Sequence, residues 1–473
     1  MNQERIPLLE FAKHYLTFDD APFYMPGHKR GKGIDRQLLN LLGDALFRLD
    51  LPELPDLEEP LHEAEILAAQ AYGSDRTWFL TNGSTCGVQA MLLATCGQGD
   101  KILIGRNCHK SAIAGLILNG ATPIYLPTAY AAEFDLDLGV TPETLEQVLT
   151  QHPDAKAVLL VSPNYFGVCS DLSQMAAIAH QFQIPLLVDA AHGAHLGFHD
   201  DLPISALQAG ADLVVQSTHK MASSLTQSSM LHLRSHLVSP TAIDQALDLL
   251  RSTSPSLLLL ISLDVARHQM AIAGQTMLEQ TLRLSREARS QLQQIPQLRT
   301  LTSADIPNLD ETRLTIMTNQ TGMTGFETDT YLREQFAVTA EMPTLTQLVF
   351  SLSLGNTETD INRLIHSLQS LPKDNPAKAL SKQIFQHHPT PISSSIAPRQ
   401  AYFAPKTRLP LSQAIGKISA ETLCPYPPGI PLICIGEEIS LELIEVLRAV
   451  LRSGGIVTGA GDPHLNSVEI ALV

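Results

Sequence analysis

Asp189 closes the apolar run Leu186, Leu187, Val188, and Lys220 follows 31 residues later, just past a second apolar run, Leu213, Val214, Val215. A carboxylate and a lysine at two strand ends, with Ser217 and His219 beside the lysine, suit a site for pyridoxal phosphate (PLP). The aldehyde of that cofactor takes a lysine as a Schiff base, its pyridine nitrogen takes a carboxylate that keeps it protonated, and its phosphate takes hydroxyls and backbone NH groups. Singly, an Asp after an apolar run and a Lys before a loop are ordinary strand termini. Together they gain meaning, because continuous apolar runs mark parallel strands covered on both faces, and ligands of open α/β sheets bind beyond the carboxyl ends of those strands.

Further groups fall on the same predicted edge. The stretch TNGSTCG (81–87) follows a strand and opens a helix, which places Ser84, Thr85 and free backbone NH groups where an anion is favoured. His109, after the strand KILIG, stands on another strand-to-helix loop and could stack on a pyridine ring. His192 lies three residues past Asp189 and could hold that carboxylate or touch the cofactor, whereas His195 reads as structural. His219, next to Lys220, is a candidate proton donor.

The elements that must position these groups alternate between residues 60 and 235. Strands WFLTNGS, KILIG, PIYL, AVLLVSP, LLVD and ADLVVQ are separated by helix-like segments, and such alternation predicts a mainly parallel sheet with crossover helices. Residues 236 to 290 read as long helices, completing an N-terminal segment and large domain over 1–290. A smaller α/β domain is expected over 291–370, a polar Pro, Ser and His-rich linker over 371–397, and a third domain over 398–473. The net charge of −16 argues against nonspecific nucleic-acid or anionic-membrane binding. The apolar run LLLLISL (257–263) is too short to span a bilayer. The six cysteines lack CxxC spacing, so reduced thiols in a cytoplasm are expected and no metal site is. The first residues lack the apolar core of a signal peptide.

Eight blocks in order carry a resemblance: PFYMPGHKRGKG (22–33), LAAQAYGSDRTWFLTNGSTCG (67–87), NCHKS (107–111), SPNYFGVCSDL (162–172), VDAAHGAHLGFH (188–199), QSTHKMASSLTQSSMLH (216–232), STSPSLLLLISLD (252–264) and PYPPGIPLICIGEEI (425–439). By these the chain resembles the Orn/Lys/Arg decarboxylase family, bacterial fold type I PLP enzymes that decarboxylate basic amino acids. The resemblance implies an aspartate aminotransferase-like large domain with a mainly parallel seven-stranded sheet. It implies that Lys220 carries PLP and Asp189 pairs with the pyridine nitrogen. Ser84, Thr85 and Ser217 would bind the phosphate, His109 would stack on the ring, and His192 and His219 would line the site. It also implies a homodimer or higher homo-oligomer with the site at the interface, where Thr253 and Ser254 could reach the neighbouring subunit's cofactor.

Two positions depart from the family pattern. Ala190 replaces an acidic residue after the cofactor aspartate, and Asp50-Leu51-Pro52-Glu53 replaces an Asp-X-Thr-Glu. Because the PGHK block begins early, the shorter form without an N-terminal wing domain is expected, with a role in polyamine biosynthesis. Glu421 is a candidate for the distal cation of a basic substrate. The competing readings are another fold type I PLP reaction, such as an aminotransferase with a small-domain arginine for the substrate carboxylate, or a lyase, and a non-catalytic relative with a regulatory role. The pair Asp189 and Lys220 does not distinguish arginine, lysine and ornithine.

Overall fold

The computed structural model describes residues 2–18, 20–51, 55–372, 396–426 and 429–473. Its large domain contains β1 (Arg76–Leu80), β2 (Lys101–Gly105), β3 (Thr122–Leu126), the hairpin β4 (Ala129–Ala131) and β5 (Leu136–Gly139), then β6 (Ala157–Val161), β7 (Leu186–Asp189), β8 (Leu213–Gln216) and β9 (Ser229–Leu233). Seven of these form one sheet in the order β1-β9-β8-β7-β6-β2-β3. β2, β3, β6, β7 and β8 run parallel, while β9 is antiparallel to both β1 and β8. Every residue of β7 and β8 is buried, as strands covered by helices on both faces require. The register pairs Val161 with Asp189 and Asp189 with Val215, so the polar strand ends line up at one edge. Strand order reverses between β6 and β2, the kind of point where open α/β sheets leave a crevice for ligands.

The helix Gly83–Thr95 packs unusually close to this sheet. A Cβ on Gly87 would come within 2.5 Å of Val215 Cγ2 and 3.0 Å of Leu80 Cδ1, so only glycine lets the helix approach β8 at that point.

A 36-residue helix, Leu257–Leu292, about 54 Å long at 1.5 Å per residue, serves two cores. Its first turns (Leu257, Leu260, Ile261, Leu263) belong to the large-domain core, and its last (Leu284, Ala288, Leu292) to the small-domain core. It is the one described helix long and apolar enough to cross a membrane, yet half of its apolar window is buried in protein. Asp264 and Arg267 form a fully buried ion pair on it. Asp264 also accepts the Leu8 NH at 3.0 Å and Arg267 donates to the Gln3 and Arg5 carbonyls, which fastens the N-terminal helix Pro7–Leu16 to this shaft.

The small domain carries β10 (Arg299–Thr300), β11 (Arg313–Met317), β12 (Met342–Pro343) and β13 (Gln347–Ser351), an antiparallel sheet in the order β10-β11-β13-β12. Its helices Gly325–Phe336 and Glu358–Gln369 both begin with capping boxes, Thr324 with Glu327 and Thr357 with Asp360. Of the linker expected at 371–397, residues 373–395 lie outside the described residues. The C-terminal part pairs β14 (Lys406–Pro410) with β17 (Ser467–Ala471) and β15 (Cys424–Tyr426) with β16 (Ile456–Thr458), around the amphipathic helix Leu441–Arg452. Arg106, just past β2, reaches into it, donating to the Pro431 carbonyl at 2.7 Å, the Leu432 carbonyl at 3.0 Å and the buried Glu437 carboxylate at 3.0 Å.

Candidate active site

The carboxyl edge of the sheet gathers the polar groups. Asp189, at the end of β7, is buried, and among the described residues its carboxylate accepts one hydrogen bond, from the Ala191 NH at 3.1 Å. Burial pushes its carboxyl above the ordinary range, against the opposing charge of Lys220. A buried carboxylate with a single backbone donor has acceptor capacity for a further donor, as a protonated pyridine nitrogen is. Ala190 beside it is buried, and its NH donates to the Val215 carbonyl at 2.9 Å.

Lys220 lies in the short helix Thr218–Met221 after β8. Its Nζ is 3.0 Å from His192 Nε2 and 5.5 Å from the centroid of the Tyr165 ring. Burial pulls its ammonium below the ordinary value; Arg313 acts in the same direction, while Asp189 and Glu341 oppose it. His192 is buried, its ring 4.5 Å from that of Tyr165, and its Nδ1 accepts from Arg313 Nη2 at 2.8 Å.

Hydroxyls and a helix terminus form the anion side. Ser217 Oγ donates to Ser84 Oγ at 2.8 Å, which joins the end of β8 to the first turn of helix Gly83–Thr95. Gly83 has φ of +76°, the conformation that turns the chain from β1 into that helix. Thr85 follows in the same turn and is exposed. The paired serines, the turn and the free NH groups form a donor set matched to a phosphate.

His109 caps the helix Lys110–Asn119, its Nδ1 accepting from the Ser111 NH at 3.3 Å. Burial, with Lys220 and Lys110 adding, pulls its imidazole down to about 4, so the ring is neutral at physiological pH. His219 directs Nδ1 to the Ser228 carbonyl at 2.7 Å, so that nitrogen carries the proton and Nε2 is the free acceptor. His195 is fully buried against Asp310 and Thr312, joining the large domain to the small one.

The structure therefore joins Lys220 to His192 and Ser217 to Ser84 by hydrogen bonds, with Asp189 within the field of Lys220. It also adds three groups that the sequence did not single out. Tyr165, Arg313 and Glu341 all act electrostatically on this cluster: Glu341 on Lys220, Tyr165 and Arg313, and Arg313 on Lys220 and His192. Arg313 is a small-domain arginine of the kind expected of an aminotransferase, but its Nη2 is committed to His192.

Glu421 is a correction. Its Oε1 accepts from Arg408 at 3.1 Å and from the Gly461 NH at 2.9 Å, and its Oε2 accepts from the Glu469 NH at 3.1 Å, so the carboxylate is used inside the C-terminal fold rather than for a substrate cation. Asp50 pairs with His28 at 3.1 Å, Thr253 and Ser254 are exposed, and Pro52 and Glu53 lie outside the described residues.

Comparisons with known proteins give the family and the fold. Residues 6–327 match the family described as Orn/Lys/Arg decarboxylase, major domain, and residues 378–454 match its C-terminal domain. The chain is 37% identical to arginine decarboxylase of Bacillus subtilis, over 99% of this chain and 98% of that protein. It is 35% identical to arginine decarboxylase of Bacillus anthracis over the same shares of the two chains. Among solved structures, lysine decarboxylase LdcF of Francisella novicida superposes with a TM-score of 0.82 at 21% identity, covering 98% of this chain and 81% of that one.

Proposed function

The chain belongs to the Orn/Lys/Arg decarboxylase family, and on that premise we propose that it removes the α-carboxylate of L-arginine as carbon dioxide, with Lys220, Asp189, Ser84, Ser217 and their neighbours as the working groups. It is a PLP-dependent amino acid decarboxylase acting on basic amino acids. The observation that carries the site assignment is the placement of Asp189 at the end of β7 and Lys220 just past the end of the adjacent parallel strand β8, the carboxylate buried, the lysine half-buried, and each within the other's field. The choice of arginine rests on full-length similarity to two arginine decarboxylases.

When bound, PLP supplies an aldehyde that condenses with amines and a protonated ring that accepts the electron pair released as carbon dioxide leaves. Lys220 offers the amine, and Asp189 holds the proton on the ring nitrogen. Ser84, Thr85, Ser217 and the NH groups of helix Gly83–Thr95 hold the phosphate. His109, neutral and capping the neighbouring helix, would cover the ring, and His192 and His219 would line the site beside Lys220. Lys220 is the group that would hold a proton for return to the substrate Cα, whereas His219 keeps its proton on Nδ1 for the Ser228 carbonyl and presents a bare Nε2, so it does not serve as the proton donor expected of it. Glu341, whose charge reaches Lys220, Tyr165 and Arg313, is the carboxylate for the distal guanidinium, which a carboxylate can bind through two parallel hydrogen bonds.

Assembly and compartment follow the same reading. Phe23 (94% exposed), Met25, Leu41 and Leu42 leave apolar surface on the N-terminal segment, which supports burial against a second copy of the chain as a homodimer. All six cysteines are unpaired and buried, which supports a reducing cytoplasm. Carbon dioxide and product amine measured with L-arginine, L-lysine and L-ornithine test the substrate. Arginine is expected to give the highest kcat/KM, and a preference for lysine or ornithine would refute that choice. Lys220→Ala is expected to abolish both turnover and the visible absorbance of the purified protein; retention of that absorbance would refute the site.

A further inference from the structure

Arg313 comes to the site from the small domain, at the first residue of β11, and is 2% exposed. Its backbone and the base of its side chain are both held. Arg289 donates to its carbonyl, and Gly167, at φ +88°, lies so near that a Cβ there would meet Arg313 Cβ at 2.8 Å and Cγ at 2.9 Å. In that fixed position Nη2 is 2.8 Å from His192 Nδ1, and His192 Nε2 is 3.0 Å from Lys220 Nζ.

The proton inventory of this chain of three groups has one solution. A guanidinium has donors and no acceptor, so His192 Nδ1 must offer its lone pair. A neutral imidazole with a bare Nδ1 carries its proton on Nε2. Nε2–H must then donate, and Lys220 Nζ can accept only as an uncharged amine. With an ammonium at Lys220, His192 would need a bare Nε2 and a protonated Nδ1, setting two donors against each other at Arg313. We propose that Arg313 is a positioning residue that fixes the tautomer of His192 and, through it, holds the Lys220 amine as a free base. This rests on the assignment of Lys220 as the cofactor lysine and adds how its nucleophilic form is kept.

The other charged and titratable groups facing the lysine come from several elements: Asp189 from β7, Glu341 from beside β12, His109 from the loop after β2, and Tyr165 from the loop after β6. Asp189 and Glu341 favour the ammonium, so a directional hydrogen bond that favours the amine has something to oppose. Burial works in the same sense as that bond.

The test uses the full-length chain, purified with PLP and then stripped of it. Uptake of added PLP is followed by visible absorbance from about pH 6 to about pH 10, a range that spans the amine's titration below its ordinary value near 10.4. Arg313→Met is expected to move the midpoint of the uptake rate up by about one pH unit or more. In a His192→Phe background the same substitution is expected to move it by less than roughly a third of that, because the route through the imidazole is gone. An equal shift in both backgrounds would make Arg313 a simple nearby charge and overturn the proposal, as would no shift in either. Nitrogen-15 spectra of the unsubstituted protein, with the His192 signal identified by its loss in His192→Phe, give an independent reading. An Nε2–H tautomer is expected, and an Nδ1–H tautomer or an imidazolium would overturn the proposal. If borohydride reduction and mass mapping find no PLP on Lys220 at any pH, the site assignment itself fails, which is a distinct result from a wrong role for Arg313.

Discussion

The properties of single groups at this site follow from burial set against one or two specific partners. Asp189 illustrates the balance, since its charge is disfavoured by burial and sustained by Lys220 and one backbone NH. A ring nitrogen that must stay protonated needs that charge. Asp189→Asn keeps the size and removes the charge, so kcat is expected to fall by about a hundredfold or more, the equivalent of losing about 3 kcal/mol of charge-assisted bonding. Steady-state kinetics at saturating PLP check this; an unchanged kcat would remove Asp189 from the mechanism. His109 gives a pH prediction. Its imidazole is pulled down to about 4, so between there and the ordinary value near 6.5 the unfolded chain binds a proton that the folded chain refuses. The stability it contributes is complete above about pH 6.5 and is lost as pH falls toward 4. His109→Asn keeps a capping side chain and removes the titration. Urea midpoints at pH 7 and pH 5 should therefore fall less in the variant than in the unsubstituted protein, and an equal fall would contradict the assignment.

At the level of elements, helix Gly83–Thr95 and β8 must be close for Ser84 and Ser217 to meet, and Gly87 is where that closeness is greatest. Gly87→Ala is expected to cost about 1–3 kcal/mol of stability through overpacking against Val215 and to weaken PLP binding by separating the two serines. Thermal denaturation and PLP titration measure the two effects, and a stability loss with PLP affinity intact would show that the contact is not what aligns the phosphate side. Six strands of the large sheet were legible in the sequence, and for β2, β6, β7 and β8 the reason is burial on both faces, which writes them as unbroken apolar runs. The seventh, β9, was not, since SMLHL carries a serine and a histidine that break the apolar run, and the histidine is satisfied only by tertiary contacts, His232 bonding Thr77 and Gln216. Asp189, Lys220, Ser217 and Ser84 could be read because strand ends and helix starts have local signatures. Arg313 and Glu341 could not, because they enter from another domain and no local period marks a side chain aimed across a domain boundary. Glu421 was misjudged for the same reason: its type was right for a cation, and only the fold shows where its oxygens are used.

For the whole molecule, the junctions between domains converge on the site. The helix Leu257–Leu292 belongs to both the large and the small core, and His195 with Asp310 joins the same two domains beside His192. Arg106 and Glu437 join the C-terminal part to the loop that carries His109. Arg106→Met strands the fully buried Glu437 carboxylate, already pushed up by burial against the opposing charge of Arg106. A loss of about 3–5 kcal/mol is expected on calorimetry. Adding Glu437→Gln to that variant should recover part of it, and no recovery would mean that the arginine's other contacts carry the junction.

Those other contacts are to the Pro431 and Leu432 carbonyls, atoms that every residue type presents alike. Mutational drift at positions 431 and 432 therefore leaves the acceptors in place, whereas position 106 tolerates little besides arginine. A chain built this way can exchange the side chains of its C-terminal part over evolutionary time, and so change what surrounds the histidine loop, without having to reinvent the joint that holds the two together.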